Sequence, residues 1–371
     1  MPTFYIIVIL IPICGFFISN RISSKFNFFD IFNSIITALL LSIRSNVGAD
    51  LETYRLHYNY FLYSLRPPVP FFDKGYALLE SSFANFDLPF NILLFVISFF
   101  NLSVLIYFCK TRILNYKILA LSLFFTTFDI YIYSLSAIRQ SIAISFIFIA
   151  VMFLEKKKYF KFFVSIFLSS QFHWTAIGVL PIYLFIFLFS KIRAIYLLIL
   201  PIIIPSIYLF LVKSPIYSVI ASINKNTTYY LDIISKSEGY SSIRDVFIWV
   251  IIAEIFIFYM IFLENINENG KVLLYQNNLL SKININFERW SVLIFLLLHI
   301  CVDTFYISAL PRFEMYFYIF LPFVVSKEVE KFSKKLNYLI MPLLILLFVI
   351  LLFFKIQTNS IYYGNANFYI P

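Results

Sequence analysis

Apolar runs long enough to cross a bilayer follow one another along almost the whole chain. No other feature limits the fold so strongly. A helix crosses the hydrocarbon core with about 17–25 residues. Inside it every backbone polar group must be satisfied within the element, so only helices and closed barrels span. The weak alternation of a transmembrane barrel is absent. Composition points the same way: 61% of residues are hydrophobic, 13% are charged and the mean hydropathy is +0.88, beyond the range of soluble domains. The expectation is an all-α polytopic membrane protein, residues 1–371 forming a single integral membrane domain. It has about 12 transmembrane helices, placed near 2–20, 28–43, 89–109, 117–134, 138–154, 159–172, 174–190, 194–212, 244–264, 290–308, 311–326 and 336–356. The first apolar stretch has neither a basic leader nor a small-residue cleavage site and reads as a retained helix.

The net charge of +10 does not point to nucleic acid, because the basic residues sit in short loops between apolar runs. One alternate set of loops holds Arg21, Lys25, Lys110, Arg112, Lys117, Lys156, Lys157, Lys158, Lys161 and further lysines and arginines, 18 of the 29 in all. Cytoplasmic loops carry such an excess, so this set is assigned to the cytoplasm. The opposite face holds 11, eight of them in two long outward loops, 44–88 and 213–243 with Arg244. Arg139 is therefore on the wrong side to be an anchor. Cys14, Cys109 and Cys301 have no metal or disulfide spacing and read as buried thiols. No metal and no cofactor is expected.

Four outward clusters carry the polar chemistry. The first, "IRSNVGADLETYRLHYNYF" (43–61), holds Arg44, Gly48, Asp50, Glu52 and Tyr54; the second is "AIRQSIA" (137–143), with Arg139 and Gln140. The third, "SQFHWTAIGVLP" (170–181), places His173 at a short turn. The fourth, "ALPRFEMYFY" (309–318), holds Arg312 and Tyr316. A guanidinium fork beside the free N–H groups of a helix start suits phosphate oxygens. Arg44, Arg139 and Arg312 converging on one cavity would suit a diphosphate. Plainer readings stand beside this one. Arg139 could pair with Asp129, and Arg312 with Glu314 or Asp303, since intramembrane charges also form structural pairs. His173 beside Trp174 fits an interfacial aromatic belt, and Asp50 and Glu52 fit a solvated loop.

Taken together and in order, Gly48, Asp50 and Tyr54, then "DKGYALL" (73–79), "RQSIA", "FHWTA" and "RFEMYF" resemble the EpsG-type members of the Wzy polysaccharide (O-antigen) polymerases, over residues 43–320. Trp174 departs from the pattern, which usually has a small residue after the histidine. The resemblance implies a GT-C-like bundle in the bacterial inner membrane with its active site on the periplasmic face. The reaction it implies transfers a growing glycan from undecaprenyl diphosphate to the next lipid-linked repeat unit, with a chain-length regulator as a possible partner. Under it, Arg139, Arg312 and Arg44 meet the diphosphate and His173 and Asp50 supply acid–base chemistry, while Glu52, Tyr54, Gln140 and Tyr316 contact glycan.

An O-antigen ligase shares donor and arginines and differs in its acceptor. A flippase of lipid-linked oligosaccharide would show internal repeats and glycine-interrupted helices, and the chain has seven glycines and no visible repeat. A sugar O-acetyltransferase needs a cytoplasmic acyl-donor site that the sequence does not display. The charge split predicts that Lys157 faces the cytoplasm and position 225 faces out. In intact cells an impermeant thiol reagent should label a cysteine at 225 and spare one at 157; the reverse pattern would invert the topology.

Overall fold

A computed structural model describes residues 2–23, 25–48, 50–63, 73–112, 117–188, 191–193, 199, 201–203, 206, 243–264, 282–284, 287–305, 310–330, 334–363 and 365–368. Within them nearly everything regular is helix. The order begins α1 (Pro2–Ile22), α2 (Phe28–Ser42), α3 (Asp50–Leu62), α4 (Lys74–Asn85), α5 (Phe90–Arg112) and α6 (Lys117–Thr126). A π-helical segment, Phe128–Ile132, leads into α7 (Tyr133–Ser136), followed by α8 (Ile138–Glu155), α9 (Tyr159–Phe172), a 3-10 turn Trp174–Gly178 and α10 (Val179–Leu188). The chain divides into two units, residues 1–180 with 322–371, and residues 181–321.

Four described helices are long and apolar enough to cross a membrane: Thr3–Ile22, Phe90–Thr111, Ile138–Glu155 and Leu339–Thr358. A fifth arises if the bent pair Lys117–Thr126 and Asp129–Ser136 is one broken span. This is an all-α membrane protein, but the described residues hold four or five such spans, where about 12 were expected. The difference has a local cause. Apolar runs such as 159–172 and 174–190 are real, but turns divide them into pieces too short to span. The expected span 194–212, the loop 213–243 and the proline stretch 64–72 lie largely or wholly outside the described residues. Only 6% of the most apolar window of Leu339–Thr358 is buried. A helix whose leucines face outward in this way has lipid as its natural solvent.

In the first unit, α8 and α9 form an antiparallel hairpin, and α2 packs on both α1 and α5. The Ser169 hydroxyl donates to the Ala143 carbonyl at 2.8 Å, and Phe146 stacks on Phe172. α8 has 18 residues, so at 1.5 Å per residue its ends are about 27 Å apart. Arg139 and Lys156 therefore sit at opposite ends of a helix about as long as the bilayer core is thick. Gly15 lets α2 approach α1, since a Cβ there would overlap the Asn33 side chain, whose amide donates to the Pro12 carbonyl at 3.0 Å.

At the far end from Arg139, Asn27 and Asp30 form a reciprocal capping box at the start of α2. Asp30 also accepts from Ser19 Oγ at 2.6 Å and from Lys110 Nζ at 2.7 Å, with both members of the ion pair fully buried. Lys110 reaches the Ser19 hydroxyl and the Ser23 and Lys25 carbonyls as well, and Lys117 Nζ donates to the Lys110 carbonyl. Lys110 and Lys117 are thus buried internal struts as well as members of the positively charged set. Cys14 is also exposed where a buried thiol was expected, while Cys109 is buried.

The second unit contains the helices Ile243–Glu264, Phe287–Phe305 and Leu310–Tyr318, and a short antiparallel pair, Lys191–Arg193 with Lys282–Asn284. The fully buried Tyr183 donates to the Tyr316 carbonyl at 2.9 Å and packs against Phe287 and Phe317.

Removing one member of a buried ion pair strands the other and costs about 3–5 kcal/mol. Lys110→Met should therefore lower the thermal midpoint of purified protein sharply. Combining it with Asp30→Asn should cost less than the two single changes added together. Additive losses would mean that the two groups are not coupled.

Candidate functional site

The helix breaks at Ala137, whose backbone (φ −82°, ψ 64°) leaves the helical region, and α8 restarts at Ile138. Alanine has no side-chain acceptor, so no side chain caps the first turn of α8. N–H groups at a helix start carry partial positive charge and attract anions. Arg139 adds a full charge at that point. Its Nη1 lies 3.1 Å from Asp73 Oδ2 in a mostly buried ion pair. Its Nε donates to the Tyr54 hydroxyl at 3.2 Å, and the guanidinium lies 5.8 Å from the centre of the Tyr54 ring.

Asp73 is the hub. It stands at the N-terminal cap position of α4, yet its side chain does not cap that helix. The carboxylate instead takes Arg139 and the backbone N–H of Trp174. Burial raises its pKa above the usual carboxylate value, with Arg139 and the Trp174 N–H acting against that rise. Arg139 does not pair with Asp129, the partner weighed from the sequence. Asp129 is about half exposed and meets Lys355 at 3.6 Å.

The His173 turn is fixed by the same contact. His173 ends α9 in an extended conformation (φ −154°, ψ 109°), is buried, and its Nδ1 lies 2.5 Å from Thr175 Oγ1. Trp174, whose N–H meets Asp73, keeps 63% of its surface exposed. Gly75 allows this arrangement, because a Cβ there would come within 2.8 Å of the Gln171 carbonyl oxygen. Gly48 does the same for α3. It has φ +71°, and a Cβ would overlap Ser136, whose hydroxyl accepts the Asp50 N–H at 3.3 Å.

A second buried layer lies behind Tyr54. Tyr76 meets Tyr54 edge to face at 5.4 Å. Glu80 is fully buried with Oε2 2.7 Å from His57 Nδ1. Burial raises the Glu80 carboxyl above its usual pKa, opposed first by the hydrogen bond to His57 and its charge, and then by the bond to Tyr76. None of Asp73, Tyr76, His57 and Glu80 was singled out from the sequence as a site residue. The signal available was "DKGYALL", an acid, a glycine and a tyrosine at the head of an amphipathic helix.

The remaining expected residues fall as follows. Asp50 is exposed in the first turn of α3, and its charge acts on Tyr54. Glu52 pairs with Arg55 at 3.5 Å and is half exposed, as a solvated acid would be. Gln140 is buried beside Arg139 in sequence. Arg44 is buried against carbonyl groups, as described below. In the second unit Arg312 is exposed, Tyr316 is fully buried, and Glu314 lies 3.0 Å from His299. The Asp303 side chain lies outside the described residues. Among the described residues no three His, Cys, Asp or Glu side chains gather as a metal site.

Fold and site define a helical membrane protein that gathers an arginine, a carboxylate, a tyrosine and a histidine-bearing turn at one end of the α8–α9 hairpin. The model of the EpsG family matches residues 27–370, and the chain belongs to that family. It is accordingly a membrane protein of the polysaccharide-polymerase type, glycosyltransferase-like in its general chemistry. No curated protein and no solved structure matches the chain.

The close approach at Gly75 is a testable part of this geometry. Gly75→Ala should push α4 off α9 and cost about 1–3 kcal/mol, as overpacking does, read as a fall in the thermal midpoint. An unchanged midpoint would mean that the two helices are not in contact there.

Proposed function

We propose that the chain is a polymerase of lipid-linked oligosaccharide repeat units, acting as an O-antigen polymerase on the periplasmic face of the inner membrane. One observation carries the reading. Tyr54, Asp73, Arg139 and the His173–Trp174 turn, drawn from four separate motifs, meet through the Arg139–Asp73 pair in a chain of the EpsG family. The complete count of about 12 helices and a GT-C-like bundle rest on the sequence pattern and the resemblance.

In the reaction an acceptor hydroxyl oxygen attacks the anomeric carbon of the carrier-linked sugar. The new C–O bond forms as the bond to the diphosphate breaks, and the diphosphate leaves with the electron pair. Its departing charge requires a cation fixed in place beforehand. Arg139 is that cation, at an uncapped helix start, with Asp73 and Tyr54 holding its orientation. His173, set by Thr175, takes the hydroxyl proton, and Asp50 is the alternative base. The exposed face of Trp174 offers a platform for a sugar ring. Gln140 and Glu52 remain proposed glycan contacts. The roles of Arg312 and Tyr316 rest on the resemblance alone. The donor is undecaprenyl diphosphate with its glycan, and a chain-length regulator is the proposed protein partner.

The test is the glycan ladder of a deletion strain complemented with variants, with membrane protein levels measured for each. The deletion should leave single-repeat products; complete loss of attached chains would indicate a ligase, and unmodified long chains an acetyltransferase. A guanidinium binds two phosphate oxygens and an ammonium does not, so Arg139→Lys should lose on the order of 10²-fold or more in rate. Lys157→Gln should leave the ladder nearly intact. Normal long chains from Arg139→Lys would remove Arg139 from the reaction.

A further inference from the structure

A second feature of the first unit is independent of the polymerase reading. A cavity of about 50 Å³ is lined by residues of α5, α6, the π-helical segment, α7 and α8, together with Leu41 and Arg44. Its polar lining includes Arg44, Ser98, Asn101, Tyr131, Ser141 and Ser145. One water needs roughly 10–15 Å³, so the space is real but far too small for a sugar or a diphosphate.

Arg44 is only 2% exposed. Burial lowers its pKa to about 10, so it stays charged at neutral pH. Its Nε donates to the Leu135 carbonyl at 3.1 Å, and its Nη1 to the Leu41 carbonyl at 2.6 Å and to Ser98 Oγ at 3.3 Å. Those carbonyls lie at helix ends and supply partial negative charge. They do not complete the balance. Among the described residues no carboxylate touches Arg44 and Nη2 has no partner. The charged groups that act on it include a second cation, Arg55.

The other donors point to the same deficit. Ser98 accepts from Arg44, and its own O–H has no described acceptor. Asn101 gives one N–H to Ser141 Oγ at 2.9 Å and receives Ser145 Oγ at 2.7 Å, which leaves its second N–H without a described acceptor. A buried full charge with unmatched N–H groups is expensive unless an anion meets it. The Arg44 charge, the Ser98 hydroxyl and one Asn101 N–H all lack a described acceptor around a space that holds one small ion.

We propose that this cavity binds one small monovalent anion of about the size of chloride, held by Arg44, Ser98 and Asn101. The ion completes the charge of Arg44 and ties the segment that follows α2 to α5.

The experiment uses the full chain purified in detergent. The thermal midpoint is measured against chloride or bromide concentration, with sodium gluconate keeping ionic strength constant. A ligand that binds only the folded state raises the midpoint in a saturable way, and that rise is expected with both halides. Arg44→Gln should abolish the halide dependence. Ser98→Ala, which keeps the charge and removes only a hydroxyl, should move half-saturation about tenfold higher and covers the case in which Arg44→Gln does not fold. Equal midpoints in chloride and gluconate at all concentrations would overturn the proposal, as would a halide effect unchanged in both variants. A response to phosphate with none to halide would overturn the assignment of the ion.

Discussion

The candidate site depends on one mostly buried ion pair, Arg139 with Asp73. The two residues lie on different helices, and neither would hold its place without the other. Arg139 enters at a helix start that no side chain caps. Asp73 gives up the capping of its own helix to meet it. Once the pair forms, the Trp174 N–H has an acceptor and the His173 turn is fixed, while Tyr54 closes the other side of the guanidinium. The glycines at 48 and 75 permit this arrangement by admitting helices to distances that a Cβ would forbid. Low exposure strengthens the pair electrostatically and makes a lone member costly.

The opposite end of the first unit repeats the device for another purpose. Lys110 and Asp30 are sealed from solvent and joined to Ser19 and two carbonyls. Asp30 also accepts the Asn27 N–H, and Lys110 reaches groups of α1 and of the turn before α2, so the pair fixes how α1, α2 and α5 meet. One end of the bundle thus carries a locked structural pair. The other carries a pair that keeps partial exposure, with a buried histidine and an exposed tryptophan beside it.

Much of this was legible in the sequence. The run from 138 to 154 was read as a span, and the helix is Ile138–Glu155. Arg139 was marked as a cation without an anchoring role, because positive charge is scarce on that face. Its partner was not legible. Asp129 is ten residues away and Asp73 sixty-six, and periodicity carries no information about contacts between helices distant in sequence. The same limit hid His57 and Glu80, which are separated by 23 residues and meet only because α3 and α4 pack together. The internal bonding of Lys110 and Lys117 was hidden for a different reason. The positive-inside pattern counts charges at helix ends and does not distinguish a solvated lysine from one folded back into a hairpin. Among the described residues, turns divide some of the long apolar runs into shorter helices, which composition alone does not show.

The most direct measurement of the central claim is a double-mutant cycle on chain extension, with Asp73→Asn, Arg139→Gln and the pair compared at equal membrane levels. Residues that act as one unit give strongly non-additive losses. The account predicts that either single change lowers polymerisation nearly as far as both together, a coupling of about 1–3 kcal/mol. Independent, multiplying losses would contradict it, because Asp73 would then not be what holds Arg139 in place.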